Sequence, residues 1–352
     1  MNMSANNHPQ KVITNLINNL SPKQKDVIIK RFGLKDGKRR TLEAIGDEHG
    51  ITRERVRQIE EDALNNLRKP QLISQLNEFL NALQSHIENH GNIKKEDSLL
   101  GKDAHTIFAQ HKFTNHPKPF IHLLLALGKS FERHNETKDW HSFWTTDKST
   151  VANVKLAVSA LHEKLKNHNQ PVDKETLIGF ARDFAKQKNL STTDQALASY
   201  ISTSKNINSN VFEQYGLAHW PEINPRGMKD KAYLVLKRLN KPLHFMQVAS
   251  EIEKAGLAKK QAHPQTVHNE LIKDSRFVLV GRGTYALTDW GYVPGTIKDV
   301  IAKSLSKSPK PLSKEEIVSA VLDQRQVKEN TILLNLQNRK LFKKTGEGYI
   351  LA

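Results

Sequence analysis

Residues 41–69 constrain the fold of this chain most, because their apolar positions define two short helices joined by a tight turn. Thr41 can cap the first helix and Thr52 the second. Gly50 lies between them, where the turn needs a backbone angle that glycine adopts easily. The second helix has one apolar face, since such residues recur at steps of three or four: Val56, Ile59, Ala63 and Leu67.

The opposite side of the second helix is polar, and it carries Arg53, Glu54, Arg57, Gln58 and Glu61. Two short helices joined in this way, the second with forked donors and carboxylates outside, suit reading of the DNA major groove. There Arg can pair with guanine, Gln with adenine, and Glu can accept from the cytosine amino group. A helical hairpin with a merely solvated polar face has the same periodicity, so the pattern alone leaves both interpretations open.

The longer string RFGLKDGKRRTLEAIGDEHGITRERVRQIEEDALNNLRKP, residues 31–70, resembles region 4 of the bacterial primary sigma factors. RFGL, DG, RTLE, IG, TRER, RQIE, AL and LRKP all fit in register. The resemblance implies that three residues read bases of a −35 promoter element in double-stranded DNA: Arg53, Glu54 and Gln58. It also implies that the phosphate backbone is held by, or beside, Arg31, Thr52, Arg55 and Arg57.

Further phosphate contacts are expected at the start of the first helix. The backbone amides of Leu42 and Glu43 carry partial positive charge there, which favours a phosphate. Lys38, Arg39 and Arg40 add a less specific grip. One departure weakens this expectation, because primary sigma factors usually have basic residues in the last turns of the second helix, where this chain has Asp62, Asn65 and Asn66.

Another helix is expected upstream. Residues 11–20 are amphipathic, and Ser21-Pro22-Lys23-Gln24 combines a capping serine, a proline at the first position and a glutamine three residues on. Gly33 can end the helix that follows. The resemblance to region 4 implies that residues 20–34 dock on the flap of the RNA polymerase β subunit.

Charge and composition narrow the functional class. The 352 residues include 54 Lys plus Arg against 37 Asp plus Glu, a net charge of +17 that favours a polyanionic partner. No cysteine is present, which excludes disulfides, thiolate zinc sites and cysteine nucleophiles. No apolar run reaches membrane-spanning length, so we expect no membrane contact and a bacterial cytoplasmic, nucleoid-associated protein.

The rest of the chain repeats. Pro171, Pro242 and Pro311 lie 71 and 69 residues apart, each between two predicted helices. The helices before them are expected at about 152–167, 229–239 and 296–306. Two β-prone runs close each repeat: 207–217 with 218–220, 277–280 with 285–287, and 341–344 with 349–351. Three helices and a hairpin are the order of a winged helix.

A degenerate fourth copy is expected over about 72–147, with a helix ending near Asn89 and another at 120–131. The predicted fold is therefore mainly α with small β wings: a region 4 helix–turn–helix domain followed by three or four tandem winged-helix domains. The expected domains are 1–70, 71–150, 151–225, 226–292 and 293–352.

The copy at 226–290 resembles the HARE-type helix–turn–helix family, through MKDKAYLVLKRLNKPLHFMQVASEIEKAGL and VHNELIKDSRFVLVGRGTYALTDW. Related modules occur in the polymerase δ subunit of some bacteria, in eukaryotic chromatin proteins and in restriction enzymes. Candidate groove-facing residues of the third helices are Gln265, His268, Asn269 and Lys273, and Lys328, Asn330, Asn335 and Arg339. Arg282, Lys343 and Lys344 are candidates at wings. Whether these modules contact DNA or protein stays open.

No metal, cofactor or catalytic site is expected. His86 and His90 stand four residues apart, but no third ligand has suitable spacing. The four tryptophans, Trp140, Trp144, Trp220 and Trp290, are expected to fill small cores rather than to stack on bases. The chain has no Walker loop, dinucleotide fingerprint, nucleophile elbow or nuclease motif, which argues against an enzyme.

The predicted function is a sigma-like transcription factor that associates with bacterial RNA polymerase and reads a −35-like element. Only about twenty residues precede region 4, so we expect the promoter-melting region 2 to be missing and this chain alone not to open promoters. Two alternatives remain: a polymerase-independent DNA-binding repressor or architectural protein, and the DNA-recognition component of a restriction or defence system.

Overall fold

The computed structural model describes residues 9–109, 117–258 and 261–352. They form two compact units. The first unit runs to residue 208 and includes 215–217, and the second comprises 209–214 and the chain from 218 onwards.

Four helices open the first unit: α1 (Pro9–Ile17), α2 (Pro22–Phe32), α3 (Leu42–His49) and α4 (Arg53–Leu67). The predicted caps are confirmed. Ser21 and Gln24 form a reciprocal capping box, and Gly33 ends α2 with a φ of 72°. The Thr41 side chain accepts from the amide of Ala44, and the Thr52 side chain accepts from that of Arg55. Local hydrogen bonds therefore define where these helices begin and end.

The helix–turn–helix has a small core of its own, formed by Val27, Ile45, Val56 and Ile59. A second, larger core lies on the other side of α1, α2 and α4. It joins Ile13, Leu16, Ile28, Phe32 and Leu67, with others, to apolar residues between positions 76 and 144. Residues 9–69 thus share most of their buried surface with the segment that follows them.

That segment contains α5 (Pro70–Ile73), a short 3-10 turn (Ser74–Leu76), α6 (Asn77–Asn89), β1 (Ile93–Lys95), α7 (Glu96–Leu100), α8 (Lys102–Ile107), α9 (Pro117–Leu127), β2 (Glu132–His134) and β3 (Phe143–Thr145). The strands form an antiparallel sheet in the order β1-β3-β2. Helix α9 is apolar almost all round and contacts α1, α2, α4, α6, α7 and α8. It is the centre of the larger core.

One predicted helix is too long. The sequence predicted a helix at 120–131, but α9 ends at Leu127 and residues 132–134 form a strand. The chain turns at Gly128, where a Cβ atom would lie 2.5 Å from the ring of Phe131. A glycine lets that ring fold back against the core, and the helix cannot continue through it.

The rest of the first unit contains α10 (Lys148–His168), α11 (Lys174–Gln187), α12 (Asp194–Thr203), β4 (Ile207–Ser209) and β5 (Tyr215–Leu217). Here the predicted pair of strands at 207–217 and 218–220 is wrong. The turn lies at 210–214, where the Asn210 carboxamide oxygen accepts from the amides of Phe212 and Gln214. Gly216 is therefore in a strand rather than in the turn.

The second unit holds two winged helices. The first contains α13 (Gly227–Leu239), β6 (Leu243–His244), α14 (Phe245–Lys254), α15 (Pro264–Lys273), β7 (Phe277–Gly281) and β8 (Thr284–Leu287), then a 3-10 turn (Thr288–Trp290). The second contains α16 (Ile297–Lys307), α17 (Lys314–Leu322), α18 (Glu329–Leu336), β9 (Phe342–Lys344) and β10 (Tyr349–Leu351). Each has its own core. The predicted mainly α fold with small β wings is confirmed.

The repeats share one pairing that shows their common architecture. The residue after each repeat proline pairs with a tyrosine of the second hairpin strand: Val172 with Tyr215, Leu243 with Tyr285, and Leu312 with Tyr349. In the degenerate first copy, Ile93 pairs with Thr145 in the same way. The strand orders β1-β3-β2 and β6-β8-β7 are therefore equivalent. Among the described residues, no helix is long and apolar enough to cross a membrane.

Candidate nucleic-acid interface

Helix α4 presents its polar side to solvent, as predicted. Val56, Ile59, Ala63 and Leu67 are buried, whereas Arg53, Glu54, Arg55, Arg57, Gln58 and Glu61 are exposed. The turn before α4 is tight, because a Cβ atom at Gly46 would lie 2.6 Å from the carbonyl oxygen of Ile51. The close approach holds α3 against the start of α4 and leaves the reading face free of other parts of the helix–turn–helix.

The exposed side chains of α4 bind one another. Arg57 donates through Nη2 to Glu54 at 2.7 Å and through Nη1 to Glu61 at 3.0 Å. Arg55 donates to the Gln58 carboxamide oxygen at 3.0 Å. The Arg57 guanidinium lowers the pKa of Glu54, whose carboxylate raises the pKa of Arg57 in return. Two residues that the resemblance assigns to bases, Glu54 and Gln58, are thus held by arginines that it assigns to phosphates.

These contacts can rearrange on binding DNA, because exposed ion pairs contribute little to stability. The carboxylates and guanidinium groups alternate along one helix turn, so bases and phosphates can replace the internal partners. The predicted base-reading and phosphate-contacting residues of α4 therefore lie on one continuous exposed face. Their roles in DNA binding stay a prediction.

The start of α3 lies in the same domain. The Thr41 cap satisfies the amide of Ala44 at 3.1 Å. The amides of Leu42 and Glu43 belong to the first turn, where a helix supplies no internal acceptor. Glu43 is exposed, and its carboxylate would oppose a phosphate there. The geometry therefore offers amide donors and one negative charge at this end of α3.

The basic residues before α3 differ in their freedom. Lys38 is exposed, and its amide donates to the Asp36 carboxylate at 2.9 Å. Arg40 forms an ion pair with Glu48. Arg31 donates to Glu60 at 3.2 Å and to the carbonyl of Arg40 at 3.1 Å, so its guanidinium ties the loop to α4. A phosphate contact by Arg31 would have to share this group with two internal partners.

An ion-pair network between α2 and α3 was not foreseen from the sequence. Lys30 contacts Asp26 at 2.8 Å and also Glu48, and His49 contacts Asp26 at 2.7 Å. Burial raises the pKa of Asp26, but the Lys30 ammonium and the His49 ring outweigh it, so the net shift is downward. The only sequence signal was four-residue spacing between Asp26 and Lys30; the other pairs join residues distant in the chain.

The last turn of α4 is used for packing. Arg68 donates to the carbonyl oxygens of Ala126 at 2.6 Å and Leu127 at 3.3 Å, at the end of α9. Asp62 and Asn65 are exposed. The basic residue closest to this turn therefore caps α9 rather than facing solvent.

The candidates in the later modules are mostly exposed. Gln265, Asn269 and Lys273 lie on the outer side of α15, and Arg282 lies in the turn between β7 and β8. His268 is half-buried, with its ring stacked on that of Phe245 at 4.4 Å, and thus belongs to the core edge. In the last module, Lys328 and Asn330 are exposed at the start of α18, whereas Arg339 follows its end.

The histidine pair contacts other protein groups. The rings of His86 and His90 are 4.3 Å apart, and His86 lies 3.7 Å from Asp103. Within 9–109, 117–258 and 261–352, no three His, Asp or Glu side chains are arranged to hold a metal ion. Trp144 is buried and donates to Glu96 at 2.9 Å, as expected of a core tryptophan. Trp140, Trp220 and Trp290 are half-buried.

Comparison with known proteins identifies two domains. Residues 16–69 match the family model for sigma-70, region 4. Residues 226–290 match the model for the HARE-HTH family, which is described as an ASXL and restriction endonuclease HTH domain. Both resemblances drawn from the sequence are thereby confirmed. Residues 16–69 form a sigma-like DNA-binding domain, joined in one chain to a HARE-type helix–turn–helix.

The similar curated proteins are RNA polymerase sigma factors. SigA of Clostridium acetobutylicum is 48% identical over 65 residues, which are 18% of this chain and 17% of that protein. SigA of Microcystis aeruginosa is 47% identical over 68 residues, 19% of this chain and 16% of that protein. SigA of Listeria monocytogenes is 46% identical over 68 residues, 19% and 18% respectively. The chain thus spans less than a fifth of the length of these relatives.

Proposed function

We propose that this chain is a sigma-like transcription factor that reads a −35-like element through α4 and associates with bacterial RNA polymerase at the nucleoid. The observation that carries the proposal is the exposed face of α4, on which Arg53, Glu54 and Gln58 lie together. Arg55, Arg57, Lys38 and the first amides of α3 would hold the phosphates around the bases. Their spacing follows the sigma factors to which residues 16–69 are similar.

Polymerase contact through residues 20–34 needs a specific geometry. Ile28 and Phe32, on the apolar side of α2, are buried in the core that contains α9. The flap of the polymerase β subunit would therefore bind the exposed polar side of α2, or α9 would have to move. The buried apolar side also favours a second candidate, a polymerase-independent DNA-binding repressor or architectural protein. Co-purification with core polymerase separates the two.

The modules are proposed to act as segments 1–70, 71–150, 151–225, 226–292 and 293–352. In this proposal the first reads DNA, and the others adjust promoter choice or the stability of the complex. The HARE-type match also keeps the restriction or defence interpretation as an alternative. A run-off transcription assay with core polymerase and this chain as sole factor tests whether it opens promoters, and we expect no transcript.

The main test is a DNase footprint on promoter DNA, with and without core polymerase. Arg53→Ala and Gln58→Ala should each cost about 1–3 kcal/mol at one base pair and relax the preference there. Lys38→Ala should instead weaken all sequences similarly. Lys155→Ala, an exposed position on α10, serves as the control. Unchanged sequence preference in both α4 variants would contradict the proposal.

A further inference from the structure

The last winged helix has a basic groove between the end of α18 and its hairpin. The groove has a volume of about 710 Å³ and is lined by Arg339, Phe342, Lys343, Lys344 and Tyr349, among others. Within the part of the chain that the structure describes, no acidic side chain lines it. We call these five residues, with the space between them, the C-terminal groove.

The charge around this groove has one sign. Residues 330–346 contain four basic side chains, Arg339, Lys340, Lys343 and Lys344, and no acidic one. All four are exposed. Exposed like charges repel one another, so the cluster is best stabilised by a polyanion that neutralises several of them at once.

The hairpin holds two of these charges on a regular strand. Lys344 pairs with Tyr349 and Lys343 with Ile350 across the β9–β10 ladder. The turn is closed by Thr345, whose amide donates to the carbonyl of Gly348 at 2.7 Å. Tyr349 pairs in turn with Leu312, and Phe342 is buried in the module core. The two lysines therefore project from backbone that is fixed on both sides.

Helix α18 itself is poorly suited to reading bases. Leu334 on its outer side is 69% exposed. The Asn335 carboxamide donates to the Thr331 carbonyl of the same helix at 2.7 Å, and Glu329 places a carboxylate in the first turn. The sequence favoured this helix as the groove-facing element, but the positive charge lies at its end and on β9.

We infer that the C-terminal groove binds the phosphate backbone of double-stranded DNA without regard to base sequence. Lysine and arginine side chains on a strand and a turn can follow phosphates as point charges. Gln337 is the one carboxamide among the lining side chains, so basic groups outnumber any group suited to a base edge. This site would act independently of α4. It would supply the phosphate grip that Asp62, Asn65 and Asn66 leave weak.

The test uses the full chain and a labelled duplex of arbitrary sequence, with affinity measured by fluorescence anisotropy over a series of NaCl concentrations. Lys343→Gln combined with Lys344→Gln should reduce the slope of log affinity against log salt by about 2. The affinity should fall by roughly tenfold or more near 0.1 M salt. The matched control is Lys303→Gln combined with Lys307→Gln, which removes the same charge from exposed positions of α16 in the same module.

Two outcomes would overturn the inference. Equal losses in the groove and control variants would mean that only net charge matters. Competition by polyglutamate as effective as that by DNA of equal charge would mean that the groove suits an acidic protein. Repeating the series with Arg53→Ala and Gln58→Ala present separates the two sites: if the groove lysines have no effect while the α4 changes still abolish sequence preference, the groove fails and the proposed function stands.

Discussion

At the scale of single residues, His122 is the most unusual group in the first unit. It lies on α9, 6% exposed, between the rings of Phe32 and Trp144 at 5.4 Å and 5.9 Å. Neither ring nitrogen has a hydrogen-bond partner in the described ranges. Burial lowers the pKa of His122 to about 3, with the Arg39 guanidinium acting in the same direction. The imidazole is therefore neutral in the folded protein at ordinary pH.

This shift predicts a pH dependence of stability. Between pH 6.5, the ordinary pKa of histidine, and about 3, the unfolded chain binds a proton at this position that the folded chain does not. Stability from the neutral ring is full above pH 6.5 and should fall by about 1 kcal/mol for each pH unit below it. His122→Leu should flatten this dependence and raise stability by about 1–3 kcal/mol, because no unpaired nitrogen is buried.

Urea unfolding at pH 7, 6 and 5, followed by tryptophan fluorescence, measures the effect of His122→Leu. The carboxylates with lowered pKa values, Glu96 and Asp103, lose stability only at lower pH, so the range from 6.5 to 5 isolates the histidine. His168→Gln on the exposed end of α10 is the control. A wild-type curve that is flat over this range would contradict the prediction.

At the scale of elements, α4 depends on its cap. Thr52 accepts from the Arg55 amide at 3.2 Å and so fixes the turn that carries Arg53 and Glu54. Both caps of the helix–turn–helix were predictable, because a capping side chain and its amide are three residues apart. The hairpin at 207–217 was not, because Asn210 replaces glycine as the turn residue through its side chain.

Thr52→Ala should destabilise the helix–turn–helix by about 1 kcal/mol, whereas Thr52→Ser should be nearly neutral because the hydroxyl is kept. Thermal unfolding measures the first effect. Amide hydrogen exchange at residues 53–56 should show faster exchange in the alanine variant alone. Equal exchange in both variants would show that tertiary packing, and not the cap, holds the start of α4.

At the scale of the whole molecule, α9 decides how the DNA-reading segment is supported. Its residues bury Ile28, Phe32 and Leu67, and its last carbonyls accept from Arg68. The sequence predicted α9 as an apolar helix of a separate domain. Nothing in its periodicity indicated its partners, because a helix that is apolar all round has no single face from which a neighbour can be inferred.

A fragment of residues 9–69 should therefore be less stable than one of residues 9–217. Removing the later segment exposes the apolar side of α1 and α2, and burial of each such side chain contributes about 1.5–3 kcal/mol. Circular dichroism melting of both fragments measures the difference. Melting of the short fragment at the same temperature, with the same cooperativity, would show that the small core of Val27, Ile45, Val56 and Ile59 suffices.

The amino-acid sequence by itself determined the helix ends, the polar face of α4 and the order of elements in each repeat. These features depend on hydrogen bonds and periodicities within a few residues of one another. The tyrosines that pair with the residues after Pro171, Pro242 and Pro311 were a further repeated signal that the sequence carried and that went unread. Only the tertiary structure decided that α9 covers α2, that Arg57 binds Glu54 and Glu61, and that positive charge gathers beside β9. Such contacts depend on burial and on side-chain conformation across the folded chain, and local pattern does not encode them.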